Sequence, residues 1–222
     1  MKTVLITGTS RGIGLALAKI FLNKGCQVIG ACRTDQQDIS EDENFKTFAL
    51  DLSDIKSIKK FEKEISTHNI QIDILINNAA IGSDLDTSIP EEISFRQTFE
   101  INVTGTTFFT ELMLMYMKPG GKIINISSKM GSVSLCEQYD SVAYRMSKAA
   151  LNMYTKILTN RLAGKQSVAA VHPGWVRTTL AKSNINGRLS TEESAQKIFD
   201  FISNDFKTGT FWNAEIQKEC EW

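Results

Sequence analysis

Seven short apolar runs, most of them rich in valine and isoleucine, alternate with longer amphipathic stretches along this 222-residue chain. That alternation constrains the fold more than any other feature. Residues 3–7 (Thr3-Val4-Leu5-Ile6-Thr7) read as a buried strand, followed by a helix over 14–24. Strands are predicted again at 27–32, 46–50, 72–77, 121–127 and 167–172, with a short last one at 209–212. Helices are predicted at 55–67, 95–116, 143–163 and 191–204. Strands without a polar face must be covered on both sides, the condition of a parallel sheet with helices above and below it. Right-handed crossovers then give a doubly wound, three-layer α/β sandwich of about seven strands. Residues 35–44 are polar and acidic and are expected to replace a full helix with a loop. No linker, repeat or low-complexity tract interrupts the pattern, so residues 1–222 are expected to form one domain.

Composition narrows the function classes. Lys plus Arg and Asp plus Glu each total 25, giving a formal net charge of zero. A neutral chain has no global field to draw it onto nucleic acid or an anionic membrane. No apolar run approaches the roughly 20 residues that span a bilayer. The apolar start after Met1-Lys2 is broken by Gly8, Arg11, Gly12 and Gly14 before a signal-peptide core develops. The four cysteines, Cys26, Cys32, Cys136 and Cys220, lack zinc spacing. Cys26 and Cys32 are placed on one strand, roughly 20 Å apart, against a disulfide limit of about 7 Å. Reduced thiols and a cytoplasmic location are the expectation.

In a doubly wound sheet, ligands bind beyond the carboxyl ends of the strands, where strand order reverses. The first strand ends here in Thr7-Gly8-Thr9-Ser10-Arg11-Gly12-Ile13-Gly14. Glycines at a strand–helix turn let main-chain N–H groups approach a pyrophosphate, toward which the helix directs its positive end. The spacing G-x-x-x-G-x-G differs from the G-x-G-x-x-G of two-domain dehydrogenases, and a turn without ligand is the plainer reading of glycines alone. The second strand ends Gly30-Ala31-Cys32-Arg33-Thr34. Cys32 and Arg33 stand where an NAD site places a carboxylate for the ribose 2′-hydroxyl. An arginine there forks onto a 2′-phosphate, and Arg11 can close on the same group, so NADP(H) is the expected cofactor. Asp35 falls beyond the expected strand end.

Tyr144 and Lys148 are four residues apart in a predicted helix, which puts both on one face. A positive charge beside a phenol favours the phenolate, so the expectation is a Tyr144 pKa lowered from about 10. Such a phenol can give a proton to a carbonyl oxygen or take one from an alcohol. An exposed i,i+4 pair is the plainer reading of the spacing alone.

Together, Thr7-Gly8-x-x-x-Gly12-x-Gly14, Asn77-Asn78-Ala79, Ile126-Ser127-Ser128, Tyr144-x-x-x-Lys148 and Pro173-Gly174 resemble the short-chain dehydrogenase/reductase family, in family order and over residues 2–179. Residues 143–152 and 172–176 look most like its sniffer-like and C-factor-like carbonyl reductases. The resemblance implies a Rossmann-type fold and reversible hydride transfer between NADP(H) and a small-molecule carbonyl or alcohol, with no metal. It implies that Tyr144 is the general acid/base, that Lys148 lowers its pKa and holds the nicotinamide ribose, and that Ser128 orients the substrate oxygen. Ser127 is placed on the other side of the strand end. Asn102, in Ile101-Asn102-Val103-Thr104-Gly105, matches the helix asparagine that supports a proton-relay water. The implied cofactor positions are Gly8, Ser10, Arg11, Gly12, Ile13 and Gly14 at the first turn, then Arg33, and Asp51 at the adenine. Asn78 follows the fourth strand, and Pro173, Gly174 and Thr178 join Tyr144 and Lys148 toward the nicotinamide. Family members commonly pair through the two long helices, though monomers also occur, so the resemblance admits a homodimer or homotetramer beside a monomer.

The same residues have blander uses. Ser127 and Ser128 also fit a strand end, Asn102 a satisfied helix polar group, Asp51 a helix cap near Ser53, and Pro173-Gly174 a type II turn. Three features depart from the family pattern. Ala80 stands where glycine often follows Asn-Asn-Ala, Ser128 and Tyr144 are separated by a longer segment than usual, and 181–189 forms a short lid. The extra residues, around 136–141, are expected to bulge over the substrate. The expected substrate wall is Met130, Val133, Tyr139, Trp175 and Leu180, suited to a partly apolar aldehyde or ketone, with core packing as the alternative use of the same residues. A non-catalytic NADP(H)-binding sensor on the same scaffold is the competing reading. A serine hydrolase is disfavoured because His68 and His172 are the only histidines and neither has a nucleophile-elbow context.

Overall fold

In the computed structural model, which describes residues 1–33 and 42–222, every strand belongs to one eight-stranded sheet. Strands β1 (Thr3–Thr7), β2 (Gln27–Cys32), β3 (Phe45–Ala49), β4 (Ile72–Asn77), β5 (Met117–Ile126), β6 (Ser167–His172) and β7 (Thr210–Asn213) are parallel, in the order β3-β2-β1-β4-β5-β6-β7. Strand β8 (Lys218–Glu219) adds to β7 antiparallel. The helices are α1 (Gly12–Asn23), α2 (Ile55–Thr67), α3 (Glu92–Phe99), α4 (Thr106–Met113), α5 (Val142–Arg161) and α6 (Thr191–Ser203). Residues 34–41, which include Asp35 and most of the predicted loop 35–44, lie outside the described residues.

The two-residue period of the strands sorts side chains between two cores. Val4, Ile6, Ile74, Ile76, Ile124 and Ile126 pack with α1 and α6 on one face. Leu5, Leu75 and Ile123 pack with α2, α4 and α5 on the other. This is the predicted sandwich, with one exposed two-residue strand that hydrophobic patterning does not announce. Two helices begin where an N-cap side chain satisfies their free N–H groups. The Asp54 carboxylate accepts from Lys56 N at the start of α2, and Ser190 and Glu193 form a capping box at α6.

The helix predicted over 95–116 starts three residues earlier and is not uniform. Between α3 and α4, Glu100–Gly105 forms a π turn, and Leu114–Tyr116 closes the run as a 3-10 turn. An added Cβ at Gly105 would sit 1.9 Å from the Leu52 carbonyl oxygen, so this glycine lets the helix pass against the main chain that follows β3. A buried polar ladder ties the sheet to two helices. Asn77 Nδ2 donates to Thr110 Oγ1 and to Asn125 Oδ1, both at 2.8 Å, and Asn125 Nδ2 donates to Thr155 Oγ1 at 2.9 Å. His172, at the end of β6, is buried with both ring nitrogens unpartnered among the described residues, and burial pushes its pKa down to about 4. It is a neutral imidazole at pH 7.

Strand order reverses between β1 and β4, the two strands whose ends carry the glycine turn and Asn78. A doubly wound sheet opens its ligand crevice at that point. No helix among the described residues is long and apolar enough to cross a membrane, and no cluster of His, Cys, Asp or Glu among them is fit to hold a metal ion.

Candidate active site

A cleft of about 720 Å³ opens over the β1–β4 reversal and extends to the ends of β2, β5 and β6. Its floor at one end is the glycine turn. Gly8 and Gly12 have φ of +75° and +63°, and a Cβ on Gly14 would lie 2.2 Å from the Gly8 carbonyl oxygen. These positions therefore need glycine, two for conformation and one for the close approach of helix to strand. Gly8, Ser10, Arg11, Gly12 and Ile13 line the cleft, whereas Gly14 is packed beneath it. Helix α1 starts here with no acidic residue in its first turn, which leaves its positive end available to an anion.

Across from that turn, Cys32, Arg33 and Asp51 line the same end of the cleft. Arg11 and Arg33 are both exposed, and the Arg33 charge helps to hold Asp51 below the usual carboxylate range. The larger cause is hydrogen bonding: Asp51 Oδ1 accepts from Ser53 N at 2.9 Å and from Ser53 Oγ at 2.6 Å. Asp51 thus braces the loop before α2 while facing the cleft; the residue that caps the helix is Asp54. Asn78 has a similar double position. It lines the cleft, but its Nδ2 donates to Thr7 O at 2.8 Å and stitches β4 to β1.

At the other end Tyr144 and Lys148 project from α5, both almost fully buried. Lys148 Nζ lies 5.6 Å from the centre of the Tyr144 ring and donates to Ile126 O at 2.9 Å. The two groups face each other, and both line the cleft. The electrostatics differ from the sequence expectation. Burial pushes the Tyr144 phenol up to about 12, against the opposing effect of the neighbouring Ser128 hydroxyl. Burial likewise pulls Lys148 down to about 8. Desolvation outweighs the helical neighbour, so at pH 7 the phenol holds its proton and is a donor rather than a phenolate.

Ser128 is buried, and its Oγ accepts from Met130 N at 3.1 Å. Ser127 forms part of the cleft wall, with its hydroxyl donated to Asn152 Oδ1 at 2.6 Å. Asn102 lies in the π turn, and its side-chain amide is bonded to protein groups. Its Oδ1 accepts from Ile81 N at 2.9 Å, and its Nδ2 donates to Ile81 O at 2.8 Å and to Ser147 Oγ at 3.1 Å. Both amide hydrogens are used, so the side chain clamps the loop after β4 to α5. Pro173 and Thr178 line the cleft. Gly174 does not; it has φ of +95° and meets Leu189 and Glu215 at the foot of the lid.

Residues 2–188 match the family model described as short chain dehydrogenase. The chain belongs to the short-chain dehydrogenase/reductase family. It is therefore an oxidoreductase of a family whose enzymes act on small molecules. It is 32% identical over 198 residues to the 3-oxoacyl-[acyl-carrier-protein] reductase FabG of Vibrio harveyi, covering 86% of this chain and 80% of that protein. A short-chain dehydrogenase/reductase from Burkholderia multivorans with bound NADP superposes with a TM-score of 0.89 at 26% identity, over 100% of this chain and 99% of the other. The carbonyl reductase Sniffer of Drosophila melanogaster gives 0.89 at 27% identity, over 100% of both chains.

In this short-chain dehydrogenase/reductase one of the five residues expected to wall the substrate lines the cleft. Leu180 lines the cleft, but Met130, Val133, Tyr139 and Trp175 do not; Val133 and Tyr139 are 78% and 84% exposed. Ile81, Thr179 and the lid residues Ala181 and Ile185 line the cleft beside Leu180. The lid is stapled at its base, where Arg177 N donates to Leu189 O at 2.9 Å and Leu189 N to Trp175 O at 3.1 Å. Its 3-10 turn, Lys182–Asn186, is held at the tip by Asp86, which accepts from Ser183 N and Ser183 Oγ. Asp86, Asn152 and the cleft residue Lys182 carry no local sequence signal for these positions. Their partners are distant in the chain, and only the fold brings them together.

Proposed function

We propose that this oxidoreductase is an NADP(H)-dependent carbonyl reductase in which Tyr144 is the general acid/base, the whole of residues 1–222 acting as one Rossmann-type unit. The observation that carries this reading is the buried Tyr144 phenol, protonated at neutral pH, facing Lys148 at the end of a cleft whose opposite end is arginine-lined. The Burkholderia protein with bound NADP and the reductase Sniffer share the architecture and support the same assignment.

The residues fit a phosphorylated dinucleotide. Gly8, Gly12 and Gly14 shape a cradle that added Cβ atoms would fill or strain, and Ser10 and Ile13 line it. Arg11 and Arg33 supply the cations that a 2′-phosphate needs, and Asp51 faces the adenine end. Asn78, Pro173 and Thr178 frame the cofactor's other half, with Gly174 turning the chain behind Pro173 and Lys148 Nζ available to the ribose. The cofactor, when bound, supplies the hydride. Ser128 Oγ and Tyr144 Oη hydrogen-bond the carbonyl oxygen as negative charge develops on it, and Tyr144 Oη gives up its proton to that oxygen. Lys148 Nζ restores the proton to the phenol. Asn102 contributes by fixing the loop after β4 against Ser147, next to the lysine.

The substrate is a small aldehyde or ketone, reduced under cellular conditions. The exposed Phe108, Met115, Met146, Met153 and Ile157 on the two long helical runs fit association into a homodimer or homotetramer, and the four free cysteines fit a cytoplasmic location. An NADPH-consumption assay over aldehydes, diketones and quinones tests the reading. Turnover is expected at pH 7, falling as pH rises through about 8, where Lys148 loses its proton. NADPH binding with no turnover of any carbonyl favours a sensor role instead.

A further inference from the structure

Helix α5 delivers Tyr144 from its first turn, yet its own N-cap residue does no capping. Ser141 is in the left-handed region, with φ of 55°, and its side chain makes no cap hydrogen bond. The free N–H groups are satisfied from 59 and 60 residues away: Asp84 Oδ2 accepts from Ala143 N at 2.6 Å, and Asp84 Oδ1 accepts from Tyr144 N at 3.1 Å. Asp84 is 2% exposed. Its turn is itself fixed, because Thr87 Oγ1 donates to Asp84 O at 2.7 Å and Ser141 N donates to Thr87 O at 2.8 Å. The turn also touches the phenol ring. A Cβ added to Gly82 would lie 2.3 Å from Leu85 Cδ1 and 3.3 Å from Tyr144 Cδ2.

We propose that Asp84 is the positioning residue for Tyr144, its buried carboxylate replacing the missing helix cap and fixing the backbone from which the phenol reaches the substrate oxygen. The carboxylate holds the N–H of Tyr144 itself, so a displacement of Asp84 moves the phenol directly. A helix start held by its own serine would be free to shift with the segment before it; a cap from the β4–α3 loop ties the phenol to the strand end that also shapes the cofactor cleft. The other charged groups at this end are Lys148, which faces the ring, Asp86, which holds the lid, and the Asp140–Arg145 pair at 2.7 Å.

The inference rests on Tyr144 being the proton donor, so the experiment runs Tyr144→Phe beside the Asp84 variants on one carbonyl substrate. Asp84→Asn keeps the size but leaves one N–H facing an amide donor and removes a negative charge. It is expected to lower kcat about tenfold, leave the KM for NADPH near wild type, and move the alkaline limb of the kcat profile to lower pH. Removal of a negative charge disfavours protonation of both neighbours, which sets that sign. Gly82→Ala, which disturbs the same ring without altering charge, is expected to lower kcat and leave the limb in place. A purely structural role for Asp84 would lower the active fraction without moving the limb. Inactive Tyr144→Phe with wild-type kcat and limb in Asp84→Asn overturns this inference alone. Active Tyr144→Phe, or a wild type that reduces no carbonyl, overturns the reading of the site and the inference with it. Should Asp84→Ala fail to fold, Asp84→Asn and Gly82→Ala decide.

Discussion

Tyr144→Phe will lower kcat for carbonyl reduction about a thousandfold, the loss expected when a positioned general acid is removed. NADPH affinity will stay near the wild-type value. The asymmetry follows from the site. The ring is buried against Gly82 and faced by Lys148, and phenylalanine keeps those contacts. What disappears is the hydroxyl, and with it both the proton and one of two hydrogen bonds to the developing negative charge. Ser128 remains, but a neutral serine hydroxyl can orient the oxygen without protonating it. The fold loses one buried hydroxyl, an effect of about 1 kcal/mol, so thermal unfolding separates lost chemistry from lost structure. Initial rates alongside an NADPH fluorescence titration make the measurement. A loss of less than about tenfold would show that another group supplies the proton.

Arg33→Asp carries the second large effect. NADPH binding is expected to weaken about a hundredfold, while NADH binding changes little, so the preference for NADPH collapses. The magnitude corresponds to losing a charge-assisted hydrogen bond and placing a carboxylate beside a phosphate. Arg33 is exposed, so its replacement leaves no buried group unpaired, and Arg11 remains on the glycine turn to give partial compensation. Binding titrations of both cofactors to wild type and variant decide the matter. Equal wild-type affinities for NADPH and NADH would reject the arginine argument.

Much of this architecture was legible because its determinants are local. Strands Thr3–Thr7, Gln27–Cys32, Ile72–Asn77 and Ser167–His172 fall where valine and isoleucine runs place them, and helix α2 begins just after the capping Asp54. Elements without a hydrophobic signature escaped: Lys218–Glu219 is exposed, and the N-terminal part of β5 contains Lys118, Pro119 and two glycines. The π turn was hidden because its carbonyl register depends on how Asn102 and Gly105 meet Ile81 and Leu52 across the fold.

In the site, spacing placed Tyr144 beside Lys148 but carried no information about burial, and burial reverses the expected shift of the phenol. Hydrophobicity likewise carried no information about exposure, since Val133 and Tyr139 lie on an exposed loop outside the cleft lining. Asp84 was missed for a different reason. A capping signal is normally read within a few residues of the helix start, whereas this one arrives from the loop after β4.

Transfer of deuterium tests the central claim most directly. Wild-type protein is supplied with NADPH carrying deuterium on either face of nicotinamide C4 and a carbonyl that it consumes, and the alcohol is read by mass spectrometry. The account predicts one deuterium at the carbinol carbon from one of the two labelled cofactors, with Tyr144→Phe abolishing its appearance. Alcohol formed without label from either cofactor, or bound NADPH that gives its label to no carbonyl, would contradict it.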